Sequence, residues 1–400
     1  MQRKIAYDIL KKVLIDGEYA NLLMQKELKA LPYIQRPFVT DLVNEVLRNY
    51  LYLKEQVLFY TDKKTDEELL ILLSMAFYER FYRHEKDYVV NNEYTSLATN
   101  KHAKGFVNAL LHKADHLNNL DLPSFEKEAL EASLPLWIAK MWHKQYSEEE
   151  YAYLLKDLSN VPSITYRLNP LKGNKEALIK EGAIFFDMYG FKSEHNLLNE
   201  EGFKNGEYYV QDKNAMALTS MLKLEENDIF LDICSAPGSK FYNALEVIKE
   251  ENAYSNDANP KREDLVVKNA ARLGYTKFHS SAIDGRELKN YFDIKFNKIL
   301  LDAPCSGLGV LKKKPELRYR LKGEDLDGLE KLQKELLDSA YEVLEDGGTL
   351  LYSTCTLNKK ENEKQVASFL TRHEDMKLIE EKLFLKEDGD HFYGAILKKN

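Results

Sequence analysis

From about residue 226 the chain alternates short apolar runs with amphipathic helical stretches, and few folds accommodate that rhythm. Strand-like runs occupy Asp228–Cys234, Asn252–Asn256, Lys277–Ser281, Asn297–Asp302 and Thr349–Ser353; stretches such as Pro260–Leu273 and Glu324–Leu344 read as helices between them. Alternation at this spacing predicts a parallel, doubly wound α/β sheet, with crossover helices covering its faces. In such sheets ligands sit outside the carboxyl ends of the strands. The chemistry-bearing loops of this chain fall at those ends.

The front of the chain reads differently. Apolar positions recur at helical spacing in Ile5-Ala6-Ile9-Leu10-Val13, Phe38-Leu42-Val43-Val46-Leu47-Leu51, Leu69-Leu70-Leu72-Leu73 and Phe106-Val107-Leu110-Leu111. No convincing strand intervenes, so residues 1–130 are expected to form an all-α helical bundle. Residues 131–220 read as a connector with strands near SITYRLNP (163–170) and GEYYVQD (206–212), and residues 221–400 as the α/β domain. No apolar run approaches the length of about 18 residues that a membrane span requires. Charged residues interrupt the apolar N-terminus, so a cytoplasmic protein without a signal peptide is expected. The three cysteines, Cys234, Cys305 and Cys355, form no CxxC pair, and neither a disulfide framework nor a metal site is expected.

The loop LDICSAPGSK (Leu231–Lys240) runs from an apolar strand into a helix. Its small residues let a ligand approach the backbone, and a helix start offers amide donors. Asp257 follows 19 residues after Gly238, at the end of the next strand, where a carboxylate can grip ribose hydroxyls. A helix cap is the alternative reading of Asp257. A nicotinamide dinucleotide calls for G-x-G-x-x-G, and this loop has one glycine and a proline. A cofactor with ribose and a sulfonium, S-adenosylmethionine, fits instead. Asp284 and Asp302 follow the third and fourth strands, and clustered acids point to one pocket lined with partners for them.

Asp302-Ala303-Pro304-Cys305 and Ser353-Thr354-Cys355 end two runs expected to be neighbours. Carbon 5 of cytosine is a poor nucleophile until a thiolate adds to carbon 6, and a second group must then manage elimination. Two cysteines and Asp302 can supply that set. Residues alone leave open which cysteine attacks.

LDICSAPGSK, LLDAPCSGLGV, KKKPELRY and YSTCTLNKKENE resemble the Nol/Nop/Sun family of RNA cytosine-C5 methyltransferases. The helical front resembles NusB, an RNA-binding fold, through RKIAYDIL, FVTDLVNEVLRNYL (38–51) and GFVNALL (105–111). The resemblance implies a NusB-like bundle followed by a Rossmann-like class I methyltransferase domain. It implies S-adenosylmethionine as cofactor, held by Cys234, Ser235, Ala236, Pro237, Gly238, Ser239 and Lys240, with Asp257 at the ribose and Asp284 at the adenine. Asp302 then lies by the methionine part and the target base, Cys355 is the nucleophile, and Cys305 assists product release. Ser239 stands where the family usually has a second glycine.

The implied partner is RNA, small-subunit (16S) ribosomal RNA, bound by a monomer. The net charge of −8 gives no general attraction to phosphate, so contact requires a local basic surface. Lys312, Lys313, Lys314 and Arg318, with Arg167 and Asn169 of the YRLN segment, are the candidate RNA contacts. Two alternatives accompany this reading: methylation of transfer RNA or another ribosomal site, and a catalytically inert RNA-binding protein.

Overall fold

Caps and apolar stripes set the helices of the front. In the computed structural model, which describes residues 1–61, 64–386 and 388–400, helices span Gln2–Leu14, Ala20–Glu27, Arg36–Tyr60, Glu67–Phe81, Asp87–Leu97 and Lys101–Lys113. Asp66 accepts from the Glu68 amide and Asn100 from the Ala103 amide, closing two helix starts. Ile9, Leu10, Val43, Leu47, Leu72, Phe77 and Val107 meet in one dry core. Helices Ser124–Glu131, Leu136–Gln145 and Glu148–Asp157 follow, the last opened by a reciprocal Ser147/Glu150 capping box.

The chain divides into two compact units, residues 1–161 with 311–321, and residues 162–310 with 322–400. The KKKPELRY segment, although flanked in sequence by strands of the second unit, thus belongs to the first.

In the second unit, β1 (Thr165–Leu168), β2 (Ile184–Phe185), β3 (Gly190–Lys192) and β4 (Tyr208–Val210) form an antiparallel sheet in the order β2-β3-β1-β4. Tyr166, Phe191 and Tyr208 pack its core. A larger sheet comprises β5 (Phe230–Asp232), β6 (Ala253–Asn256), β7 (His279–Ser281), β8 (Phe296–Asp302), β9 (Leu344–Thr354), β10 (Met376–Phe384) and β11 (Phe392–Lys399), in the order β10-β11-β9-β8-β5-β6-β7.

The pairs among β5 to β9 are parallel, as the strand–helix alternation predicts. The sheet as a whole is mixed, because two antiparallel strands extend it beyond β9. β11 pairs antiparallel with β9, setting Ala395 opposite Tyr352, and β10 pairs antiparallel with β11. A hairpin needs no crossover helix, so the sheet can close its edge without another β–α unit. Exposed Glu380, Glu381 and Lys382 keep the outer strand polar against further pairing. No helix among the described residues is long and apolar enough to cross a membrane.

Candidate active site

The carboxyl ends of β5, β6 and β7 are laced together. The Ser235 amide donates to Asn256 O at 2.8 Å, and Asn256 Nδ2 donates to Ile233 O and Ile283 O, each at 3.1 Å. Glu263, buried on the helix Pro260–Leu273, accepts from Ser235 Oγ at 2.9 Å, from Ser280 Oγ at 2.7 Å and from Ser255 Oγ. One carboxylate therefore pins the loop after β5 to the two neighbouring strands. Gly238 turns that loop at φ +104°, and a Cβ there would lie 2.1 Å from Tyr242 Oη. Only glycine meets both demands.

Asp257 stands at the end of β6 with 4% of its surface exposed. Its Oδ1 accepts from the Asn259 amide at 2.9 Å, and Arg262 Nη2 lies 3.4 Å from Oδ2. The helix Pro260–Leu273 is capped by Asn259, so the capping role weighed for Asp257 belongs elsewhere. Asp284, past the end of β7, is half-exposed and gripped by Arg286, whose Nε donates at 2.9 Å. That hydrogen bonding, assisted by the Arg286 charge, holds Asp284 below the usual carboxylate range.

Asp302 closes β8. Lys240 Nζ lies 2.6 Å from its Oδ2, and Ser353 Oγ of β9 donates to Oδ1 at 2.8 Å. Burial alone would lower the Lys240 pKa; the Asp302 carboxylate outweighs it, Cys355 adds to the effect, and the net displacement is upward. Lys240, read from sequence as part of the cofactor cradle, is thus the ion-pair partner of the acid beside the cysteines. Sequence reasoning missed Asp232. It is 1% exposed, its Oδ1 has no hydrogen-bond partner, and burial followed by the Asp302 charge raises its pKa well above the ordinary value. Burial, with Asp232 and Asp257 nearby, also pushes the Cys234 thiol up.

The two remaining cysteines come together because β8 and β9 are parallel neighbours with Asp302 opposite Ser353. Cys305 Sγ and Cys355 Sγ are 3.4 Å apart. The hydrogen bond to Cys355, then burial, raise the Cys305 pKa well above that of an ordinary thiol. The residues that follow each cysteine are also joined, Ser306 Oγ and Thr356 Oγ1 lying 2.6 Å apart. Glu361, fully buried, receives the Ser306 amide at 2.9 Å, Ser306 Oγ at 2.5 Å, Gln333 Nε2 at 3.0 Å and Asn358 Nδ2 at 3.1 Å. The sequence signal for this residue was the acidic-amide run Glu361-Asn362-Glu363, which helical patterning alone renders as a solvated first turn.

Four of the candidate RNA contacts have partners within the protein. Lys312 is buried against Asp157, Nζ to Oδ2 at 2.8 Å. Arg318 is 1% exposed, and its Nη1 donates to Arg48 O and Ala132 O, each at 2.9 Å, and to Ser133 O at 3.3 Å. Arg167 makes an ion pair with the buried Glu246, Nη2 to Oε2 at 2.6 Å. Asn169 Nδ2 donates to Gly206 O and Leu273 O, each at 2.7 Å. Runs of cations in sequence do not distinguish side chains that satisfy interior carbonyls from those that face solvent. Lys313 and Lys314 are exposed.

Residues 219–392 match the family model described as 16S rRNA methyltransferase RsmB/F, and residues 1–116 match the NusB family. A probable ribosomal RNA small subunit methyltransferase B of Bacillus subtilis is 29% identical over 403 residues, covering 93% of this chain and 89% of that protein. The ribosomal RNA small subunit methyltransferase B of Proteus mirabilis is 28% identical, covering 74% of this chain and 73% of its own. Among solved structures, that of PH0851 superposes over 99% of both chains with a TM-score of 0.83 at 20% identity. A methyltransferase homolog from Pyrococcus horikoshii covers 70% of this chain and 100% of its own, with a TM-score of 0.59 at 24% identity. At these identities the two structures establish the fold.

Proposed function

We infer the activity of a chain whose residues 219–392 match the 16S rRNA methyltransferase RsmB/F family model and whose residues 1–116 match the NusB family model. It is an S-adenosylmethionine-dependent RNA methyltransferase. Our finer reading is that it methylates carbon 5 of a cytosine in 16S ribosomal RNA, with Cys355 as nucleophile. The observation that carries this reading is the approach of Cys305 and Cys355 to 3.4 Å beside the Lys240–Asp302 pair. Methylation of an amino group would need no thiol, and a pair of thiols at adjoining strand ends has a use in covalent catalysis.

The residues present suit the cofactor. The small-residue loop at 234–238 needs Gly238 for its turn, Asp257 offers ribose hydroxyls an acceptor, and the Asp232 Oδ1 is buried without a protein donor. When bound, the cofactor supplies an electrophilic methyl on a sulfonium. The chain's own groups do the rest. The Cys305 thiol and the Lys240 cation are neighbours of the kind that stabilise a thiolate, here Cys355. The Cys355 sulfur adds to carbon 6 of the base and makes carbon 5 nucleophilic. Asp302, ion-paired to Lys240, is the group offered to the base's ring nitrogen. After methylation the carbon-5 proton passes to water, its bonding pair re-forms the C5–C6 double bond, the C6–S bond breaks, and the departing Cys355 sulfur takes a proton from the Cys305 thiol 3.4 Å away.

A denaturing gel with labelled 16S RNA and S-adenosylmethionine tests the assignment. Cys355→Ala is expected to be inactive and to form no adduct. Cys305→Ala should accumulate RNA attached through Cys355, and the double variant none. A shifted band from Cys355→Ala alone reverses the two roles. Bisulfite sequencing of total RNA from a strain without the gene identifies the RNA, transfer RNA being the alternative outcome.

A further inference from the structure

We propose that Glu361 is the positioning residue of the cysteine pair, holding the loop after β8 to the loop after β9 and reserving Cys305 for the release step. The inference rests on the two-cysteine reading above and assigns a role to a fully buried residue.

Four N–H and O–H groups converge on the Glu361 side chain: the Ser306 amide, Ser306 Oγ, Gln333 Nε2 and Asn358 Nδ2. A carboxylate has acceptor capacity for all of them, whereas an amide would turn two hydrogens toward donors. Ser306 directly follows Cys305, and its hydroxyl also meets Thr356, which directly follows Cys355. Glu361 therefore reaches the residue after one cysteine directly and the residue after the other through a single hydroxyl. The tie continues beyond the carboxylate. Tyr352 Oη donates to Glu361 O at 2.6 Å, and Asn362 takes Thr354 Oγ1 at 2.5 Å and donates to Thr356 O at 3.0 Å. Gln333 joins the Glu361 carboxylate and Pro304 O, bracketing Cys305 from its other side at 2.9 Å. A buried network satisfied this fully fixes geometry.

The same carboxylate acts on Cys305 electrostatically. The hydrogen bond to Cys355 and burial come first in raising the Cys305 pKa, and the Glu361 and Asp302 carboxylates add to it. Cys355, for its part, interacts with the Lys240 cation and helps to raise the Lys240 pKa.

Glu361→Gln in the full-length enzyme tests this with two readouts. In the first, without RNA, each thiol is alkylated with iodoacetamide across pH and quantified by mass spectrometry. Removing the carboxylate should lower the Cys305 midpoint while that of Cys355 stays in place. In the second, covalent RNA adduct is formed and its decay followed. Clearance should slow about tenfold while adduct formation and S-adenosylmethionine affinity stay within about twofold. Should Glu361→Gln fold poorly, Ser306→Ala removes the hydroxyl bridge alone; clearance should slow with the Cys305 midpoint unmoved. The proposal is overturned if folded Glu361→Gln clears adduct at the parental rate, or if both thiol midpoints move together. A shifted Cys305 midpoint in an enzyme whose parent forms no adduct at all counts against the cytosine-C5 reading and leaves the Glu361 effect standing.

Discussion

Arg318→Met separates structural cations from RNA-facing ones. The guanidinium is buried in the first unit with carbonyl oxygens as its partners, the two shortest approaches being those to Arg48 O and Ala132 O at 2.9 Å. Burial without a carboxylate partner lowers its pKa, so the interior already bears a cost for the charge. Methionine fills much of the stem's volume and takes the charged donor from those two acceptors, at about 1–3 kcal/mol each. Relief of the buried charge offsets part of that loss, leaving a net destabilisation of about 3 kcal/mol. For a domain of this size the melting temperature should fall by about 6–12 °C. Scanning calorimetry reads the loss, and RNA affinity is measured across salt on folded protein well below the transition. The matching variant, Lys313→Glu with Lys314→Glu, should melt within about 2 °C of the parent. It should weaken RNA binding across sequences and reduce the salt slope by about one for each phosphate no longer neutralised. An Arg318→Met protein that melts with the parent yet binds RNA more weakly, with a shallower slope, would refute the reasoning and return Arg318 to the RNA surface.

Asp257→Ala should weaken S-adenosylmethionine binding without lowering the melting temperature, because Asn259 carries the helix cap; calorimetric titration of both proteins reads it, and a tight NAD isotherm would end the methyltransferase reading. Asp232→Asn should stabilise the cofactor-free protein at pH 8 and leave it unchanged at pH 4. The folded state holds the Asp232 proton more tightly than the unfolded chain, so its destabilising contribution grows as pH rises above the ordinary carboxylate range. Melting curves that differ equally at both pH values would count against a buried, strained carboxylate.

What sequence could reveal here follows the distance over which each feature is encoded. Strand–helix alternation is local, so the parallel core and the loops at its carboxyl ends were legible from Asp228 to Ser353. The β10–β11 hairpin was half-legible: the apolar run in GDHFYGAILKK marks β11, whereas β10, with Glu380, Glu381 and Lys382 facing solvent, carries no apolar alternation to find. The site was legible at its small and reactive residues, because Gly238, Cys305 and Cys355 have few other uses at strand ends. Partners joined across long separations were not. Lys240 and Asp302 are 62 positions apart, and Glu361 and Ser306 are 55 apart. A lysine after a glycine-containing turn reads as a phosphate or cofactor contact until the neighbouring strand is in place. The same limit explains Lys312 and Arg318. Their surroundings are supplied by Asp157, Arg48 and Ala132, residues far from them in sequence, and only the fold reveals that these cations face inward. Glu361 lies within the motif that holds Cys355, but its tie to Ser306 spans two strands, and no window of sequence around Cys305 contains it.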